Sequence, residues 1–149
     1  PTRAALVRAM IEYWIDDYHD RLITKLTGQS ADPAAAMRDY LDFLMVESLA
    51  LRGRAFWNYV WSLADLDADV SAALTQFMTL YRSLFALLIR RVNSALSERE
   101  ALRLAAALSS MIDGIGSVVG EGRPTDADLA GIEDMVKSLA FRIAVEVPR

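Results

Sequence analysis

The chain has 149 residues, no cysteine, a formal charge of −4 and 54% hydrophobic residues, with a mean hydropathy of +0.21. That length suits one domain, residues 1–149, and the lack of thiols excludes disulfide scaffolds, thiolate nucleophiles and cysteine-ligated zinc. The acidic balance argues against this chain itself gripping a phosphate backbone, while the apolar excess is what a buried contact between subunits would produce.

No apolar run approaches the ~18 residues of a membrane span, the longest being Leu84 to Ile89, and the N-terminus has no basic-then-apolar signal pattern. The chain therefore reads as cytoplasmic with no membrane partner. It begins at Pro1 rather than Met, so the expectation is a fragment or the ordered part of something longer.

In chain order, Thr2 to about Thr27 sets Val7, Met10, Ile11, Trp14, Tyr18 and Leu22 on one face, with Glu12, Asp16, His19 and Asp20 on or near the other. This is an amphipathic helix, stopped by Gly28-Gln29-Ser30. Asp32-Pro33 supplies a cap and a proline at the first helical position of a second helix, which runs to about Leu51 before Gly53. Its second half, YLDFLMVESLAL, is apolar nearly all round. A short aromatic helix follows from Arg54 to about Ala64, carrying Phe56, Trp57, Tyr59 and Trp61.

The fourth helix, from Asp69 to Leu96, organises the rest. Val70, Leu74, Phe77, Met78, Tyr81, Leu84, Phe85, Leu88, Ile89 and Val92 recur at spacings of three and four, and Leu80 and Leu87 widen the arc. So broad a face requires neighbours on more than one side. Asp67 or Asp69 can cap its start, and Arg90 and Arg91 suit the negative end of its dipole.

Ser97-Glu98-Arg99-Glu100 has the form of a capping box and opens a fifth helix to about Val119. One face is regular core, Leu104, Leu108, Met111, Ile112, Ile115 and Val119. The opposite face is small, with Ala106, Ser109, Ser110, Gly114 and Ser117, and would let another backbone come close. After the break at Gly120, Gly122 and Pro124, Thr125 or Asp126 caps a sixth helix striped by Leu129, Ile132, Met135, Val136, Leu139, Ile143 and Val147. The expectation is an all-α fold of six helices with a long central one.

The order and lengths of these elements resemble the C-terminal effector-binding and dimerisation domain of the TetR family of bacterial transcriptional regulators, over essentially the whole chain. AALVRAMIEYW is similar to the helix that follows the family's DNA-binding helix-turn-helix, and LYRSLFALLIRRVNSAL to its long central helix. LSSMIDGIGSVVG and DLAGIEDMVKSLAFRI are similar to the last two helices, which pair with their copies in a dimer, and RAFWNYVWSLA resembles the BetI-like branch. The resemblance implies the sensing core of a repressor, binding a small, largely apolar effector between its helices. It also implies a homodimer, here through Ala106, Ser110, Gly114, Ser117, Leu139 and Ile143. The helix-turn-helix is missing, so operator DNA would be reached only through a segment absent from this chain.

Glu47 stands out on the second helix, among Tyr40, Phe43, Leu44 and Leu51 near the middle of the apolar face. A carboxylate there is either paired structurally, with Arg52, Arg54 or Arg82, or faces a cavity where a ligand satisfies it. Trp14, Tyr18, Trp57, Trp61, Phe77, Tyr81 and Phe85 come from three helices; each reads singly as core, and together they form the expected lining of a pocket, with Phe43, Glu47 and Met111. His19 near Asp16 and Asp20 makes a poor metal site and reads as a surface histidine. With one histidine and no glycine-rich phosphate loop, no acid–base or nucleophilic machinery is visible, and neither an enzyme, a cofactor nor a metal is expected. Asp113 before Gly114 reads as a hydrogen-bonding group between helices. The competing readings are a helical protein-interaction module with no ligand and, third, a cofactor-independent enzyme with an apolar pocket.

Overall fold

The structure, a computed structural model, describes residues 2–27, 32–123 and 126–146, and the side chains within them except at positions 4, 18, 19 and 21–27. Among these residues the chain is all-α and has no strand. It forms α1 (Arg3–Thr27), α2 (Pro33–Leu49), α3 (Leu51–Ala64), α4 (Ala68–Val92), α5 (Glu98–Val118) and α6 (Ile132–Glu146), with a 3-10 turn at Ala127–Leu129.

Local chemistry explains most of the boundaries. Asp32 accepts from the Ala34 N–H at 2.9 Å ahead of Pro33, and Asp67 accepts from Asp69 and Val70 at 3.0 and 3.1 Å to start α4. Ser97 and Glu100 form the capping box of α5, with the Ser97 N–H donating to Glu100 Oε2 at 2.8 Å and the Glu100 N–H to Ser97 Oγ at 3.3 Å.

Three boundaries differ from the sequence expectation. α3 begins at Leu51 rather than Arg54, because α2 stops at an extended Ala50 (ψ 128°) and the Leu51 N–H finds its acceptor far away in sequence, Glu121 Oε2 at 3.1 Å. Gly53 thus lies inside a helix, where an added Cβ would stand 3.2 Å from the Glu47 carbonyl oxygen. α4 ends at Val92, not Leu96, with Asn93 donating to the Ile89 carbonyl at 2.8 Å. α6 starts at Ile132, because Asp126 caps the 3-10 turn instead and Gly131, at φ +80°, breaks the chain before the helix; Leu129 is therefore not part of the last stripe. The other cap candidate, Thr125, and the stripe positions Leu22 and Val147 lie outside the described residues or side chains.

α4 touches each of the other five helices, as its broad apolar arc requires. Val70, Leu74, Phe85, Leu88 and Ile89 are buried on it, and Ile11, Met37, Leu108, Ile112 and Ala140 close the core from the surrounding helices. α2 crosses α5 at very short range: a Cβ on Gly116 would stand 2.2 Å from the Ser48 carbonyl oxygen. Lys137 ties α6 to α2 by donating to Asp42 at 2.9 Å, which raises its pKa. By length and composition α4 and α5 could each cross a bilayer, which a search for uninterrupted apolar runs does not reveal. In this fold both pack against neighbouring helices of the bundle.

Candidate functional site

The convergence of α1, α2, α3, α4 and α5 leaves a cavity of about 160 Å³ that is partly open to solvent. Rings from α1, α3 and α4 wall this space. Trp57 of α3 stacks on Phe77 of α4 at 4.5 Å between centroids, Phe77 continues to Tyr81 at 6.1 Å, and Trp14 of α1 meets Trp57 edge-on at 6.1 Å. This run of rings forms the apolar wall. Trp61, 48% exposed, stands at the mouth.

The polar side comes from α2, α3 and α5, through Glu47, Ser48, Arg54, Asn58 and Asp113. Ser48 Oγ donates to Asp113 Oδ1 at 3.5 Å, a long bond across the α2–α5 crossing. Asp113 keeps solvent access, yet the atoms packed around it strip enough water to raise its pKa from 3.8 to about 6; the Ser48 bond and the Arg82 charge pull the other way. Burial, then Asp113 and Tyr40, push the Tyr81 hydroxyl well above its ordinary value against Arg82, so it stays a protonated O–H. Arg54 reaches toward the turn after α5. Its Nη2 donates to the Glu121 carbonyl at 2.7 Å, and its Nη1 lies 3.1 Å from where a Gly120 Cβ would stand, so the guanidinium is held at the C-terminal end of α5.

Of the expected lining, the cavity brings together Trp14, Glu47, Trp57, Trp61, Phe77 and Tyr81. Phe43, Phe85 and Met111 are not in its wall. Phe85 is fully buried and meets Tyr40 edge-on at 5.1 Å, Phe43 stacks on the same Tyr40, and Met111 packs against the core. The side chain of Tyr18 lies outside the described set, as does that of His19. Leu44, Ser48, Arg54, Asn58, Met78 and Asp113 line the cavity without having been singled out for it. Asp113 carried the clearest signal, an acid within the small-residue face of α5.

No protein-family profile, characterised protein or solved structure matches the chain. The cavity must therefore be weighed on its own geometry. A second groove of about 490 Å³ between α2 and α6 is larger, but its charges are already matched. Lys137 contacts Asp42 and Asp134, Arg38 lies 4.4 Å over the Phe141 ring, and Arg142 faces Glu146 at 3.6 Å. The aromatic cavity is the better candidate because it pairs a preformed apolar wall with convergent polar groups.

The residues expected at a dimer contact are exposed or half-buried on α5 and α6. Ser110, Gly114, Ser117 and Leu139 are exposed, and Ala106 and Ile143 are half-buried. Ser110 and Ser117 turn their hydroxyls back onto the Ala106 and Gly114 carbonyls at 2.8 and 2.7 Å, which leaves this face apolar, and a Cβ on Gly114 would meet nothing within 4 Å. Met135 on α6 and Val118 on α5 are also exposed, at 62% and 46%.

Proposed function

We propose that this chain is the ligand-sensing and dimerisation core of a TetR-like bacterial transcriptional regulator, a repressor whose effector is small and largely apolar. The observation that carries the reading is the cavity, where every tryptophan of the chain meets a patch of polar groups. Its volume of about 160 Å³ is close to the ~150 Å³ of an engineered apolar cavity that takes up benzene, so a benzene-sized group would fill it, with any remainder of the ligand emerging past Trp61. The long central helix and the apolar α5–α6 face support the same reading, the latter as the contact between two copies. On this reading the protein is cytoplasmic and not an enzyme, and it reaches DNA only through a helix-turn-helix that this chain lacks. Ligand binding would shift the helices around the cavity and so the spacing of two DNA-reading heads.

The test has two arms. Small molecules are screened by melting temperature, and hits must be recovered chemically unchanged. The mass in solution is measured by light scattering for the wild type, Gly114→Leu and Ile143→Arg. Unchanged dimer mass in both variants would rule out the α5–α6 contact, and the absence of any hit would rule out sensing. The interaction-module reading is favoured by a different observation, the exposed Leu6, Met10 and Tyr13 on α1. It predicts no small-molecule hit at all.

A further inference from the structure

We propose that the aromatic cavity selects a protonated primary amine with a short apolar tail, the ammonium held at Asp113 and the tail against Trp57 and Phe77. The proposal rests on the ligand-sensing reading and deepens it by naming the effector's chemistry.

Trp57, Phe77 and Tyr81 stack on one another in a continuous run, which gives the ligand an apolar wall for its tail. Rings also suit neutral ligands, so the discriminating group is the carboxylate. Among the described residues Asp113 makes no ion pair, and the Ser48 hydroxyl at 3.5 Å is its one hydrogen bond. A carboxylate partly stripped of water, with no direct ion pair among the described residues and only the charge of Arg82 favouring its ionised form, is costly, and a bound cation relieves that cost while a neutral ligand does not. Glu47 adds a second acid to the same cavity. An anion would meet the Asp113 carboxylate; Arg54, the one arginine in the wall, gives its Nη2 to the Glu121 carbonyl, and its buried Nη1, with no hydrogen-bond partner among the described residues, is the competing anion contact that butyrate tests.

A metal ion fits no better. No group of three or more metal-binding side chains exists among the described residues, and rings offer no lone pairs to one. The choice among organic cations follows from hydrogen-bonding capacity. Asp113, Glu47, the Ser48 oxygen and the Asn58 amide oxygen are acceptors around the polar end, and a primary ammonium brings three N–H donors, whereas a quaternary one brings none. The cavity volume of about 160 Å³ holds a four-carbon chain and excludes a fused-ring amine from full entry.

The experiment is a calorimetric titration of the whole chain at about pH 7.5, where an alkylammonium is charged. Four probes share one four-carbon tail: n-butylammonium, n-butyltrimethylammonium, 1-butanol and butyrate. Toluene serves as a neutral probe of the cavity itself. The expected result is saturable binding of n-butylammonium with one site per chain, about tenfold or more tighter than 1-butanol or the quaternary ion, and no binding of butyrate. Asp113→Asn should remove that preference and Asp113→Glu should retain it. Equal affinity for n-butylammonium and 1-butanol, or a preference that survives Asp113→Asn, would overturn the proposal and leave the sensing reading intact. Preference for butyrate would overturn it in favour of Arg54. Binding of toluene alone would overturn it while sparing the cavity; if toluene also fails to bind, both readings fall.

Discussion

Gly116 is where the smallest chemical change should do the most damage. Adding one methyl group there, Gly116→Ala, places a Cβ 2.2 Å from the Ser48 carbonyl oxygen, 3.3 Å from its carbon and 3.4 Å from Arg54 Cδ. An ordinary carbon–oxygen contact is about 3.3 Å, so α2 and α5 must part by about 1 Å. The obstacle is backbone within a helix, which has no alternative rotamer, so the cost belongs at the upper end of overpacking, about 3 kcal/mol. For a chain of this size that corresponds to roughly 6–12 °C in melting temperature. The same separation lengthens the Ser48–Asp113 bond, already 3.5 Å, so ligand affinity should fall with stability. The control lies two positions earlier. Gly114→Ala meets nothing within 4 Å inside the chain and gains helix propensity, so it should be neutral or stabilising by up to about 1 kcal/mol. Urea unfolding with an unchanged m-value reads both. A Gly116→Ala variant as stable as wild type, or equal losses in both, would refute the close crossing.

Asp113→Asn should stabilise the folded chain at neutral pH. A folded pKa of about 6 against 3.8 means that the folded state holds the proton more tightly, so this group's contribution is full below about pH 4, is lost as pH rises to about 6, and stays lost above. The displacement is worth about 3 kcal/mol for a sealed carboxylate; solvent at the mouth screens it to about 1 kcal/mol, measured as a difference in unfolding free energy between wild type and variant that vanishes near pH 4. Ser97→Ala removes the α5 capping box and should cost about 1 kcal/mol in urea unfolding. Glu121→Ala removes the distant cap of α3, since Ala50 offers no side-chain oxygen; a loss of about 1 kcal/mol is expected, with faster hydrogen exchange at the Leu51 amide, and unchanged exchange there would count against the cap.

What was legible in the sequence was local. Ser97 with Glu100, Asp32 before Pro33 and Asp67 ahead of α4 announce helix starts by chemistry within a few residues, and the structure places them so. The breadth of the α4 arc likewise required neighbours on more than one side, and α4 has five. What failed was decided across the fold. Gly53 reads as a helix break, but a carboxylate 70 residues away caps the helix that contains it. Gly114 and Gly116 look alike as small residues on one helix, and only the position of α2 shows that Gly116 is the close approach and Gly114 the open one. Periodicity put Phe43, Phe85, Phe77 and Tyr81 on apolar faces alike; which faces meet core and which meet a cavity depends on how the third helix docks. Asp113 was visible as an acid among small residues, but its proximity to Ser48 comes from the α2–α5 crossing.

The three tryptophans, Trp14, Trp57 and Trp61, all line the cavity, so the chain carries its own reporters. The most direct measurement is the indole N–H and methionine methyl region of heteronuclear NMR spectra, recorded as a compound that raises the melting temperature is titrated in. A ligand in the cavity should shift the Trp57 indole and the Met78 methyl saturably, with Trp14 and Trp61 following, and should leave Met135 on the exposed face of α6 in place. If such a compound moves Met135 while all three indoles stay where they were, the cavity is not the binding site.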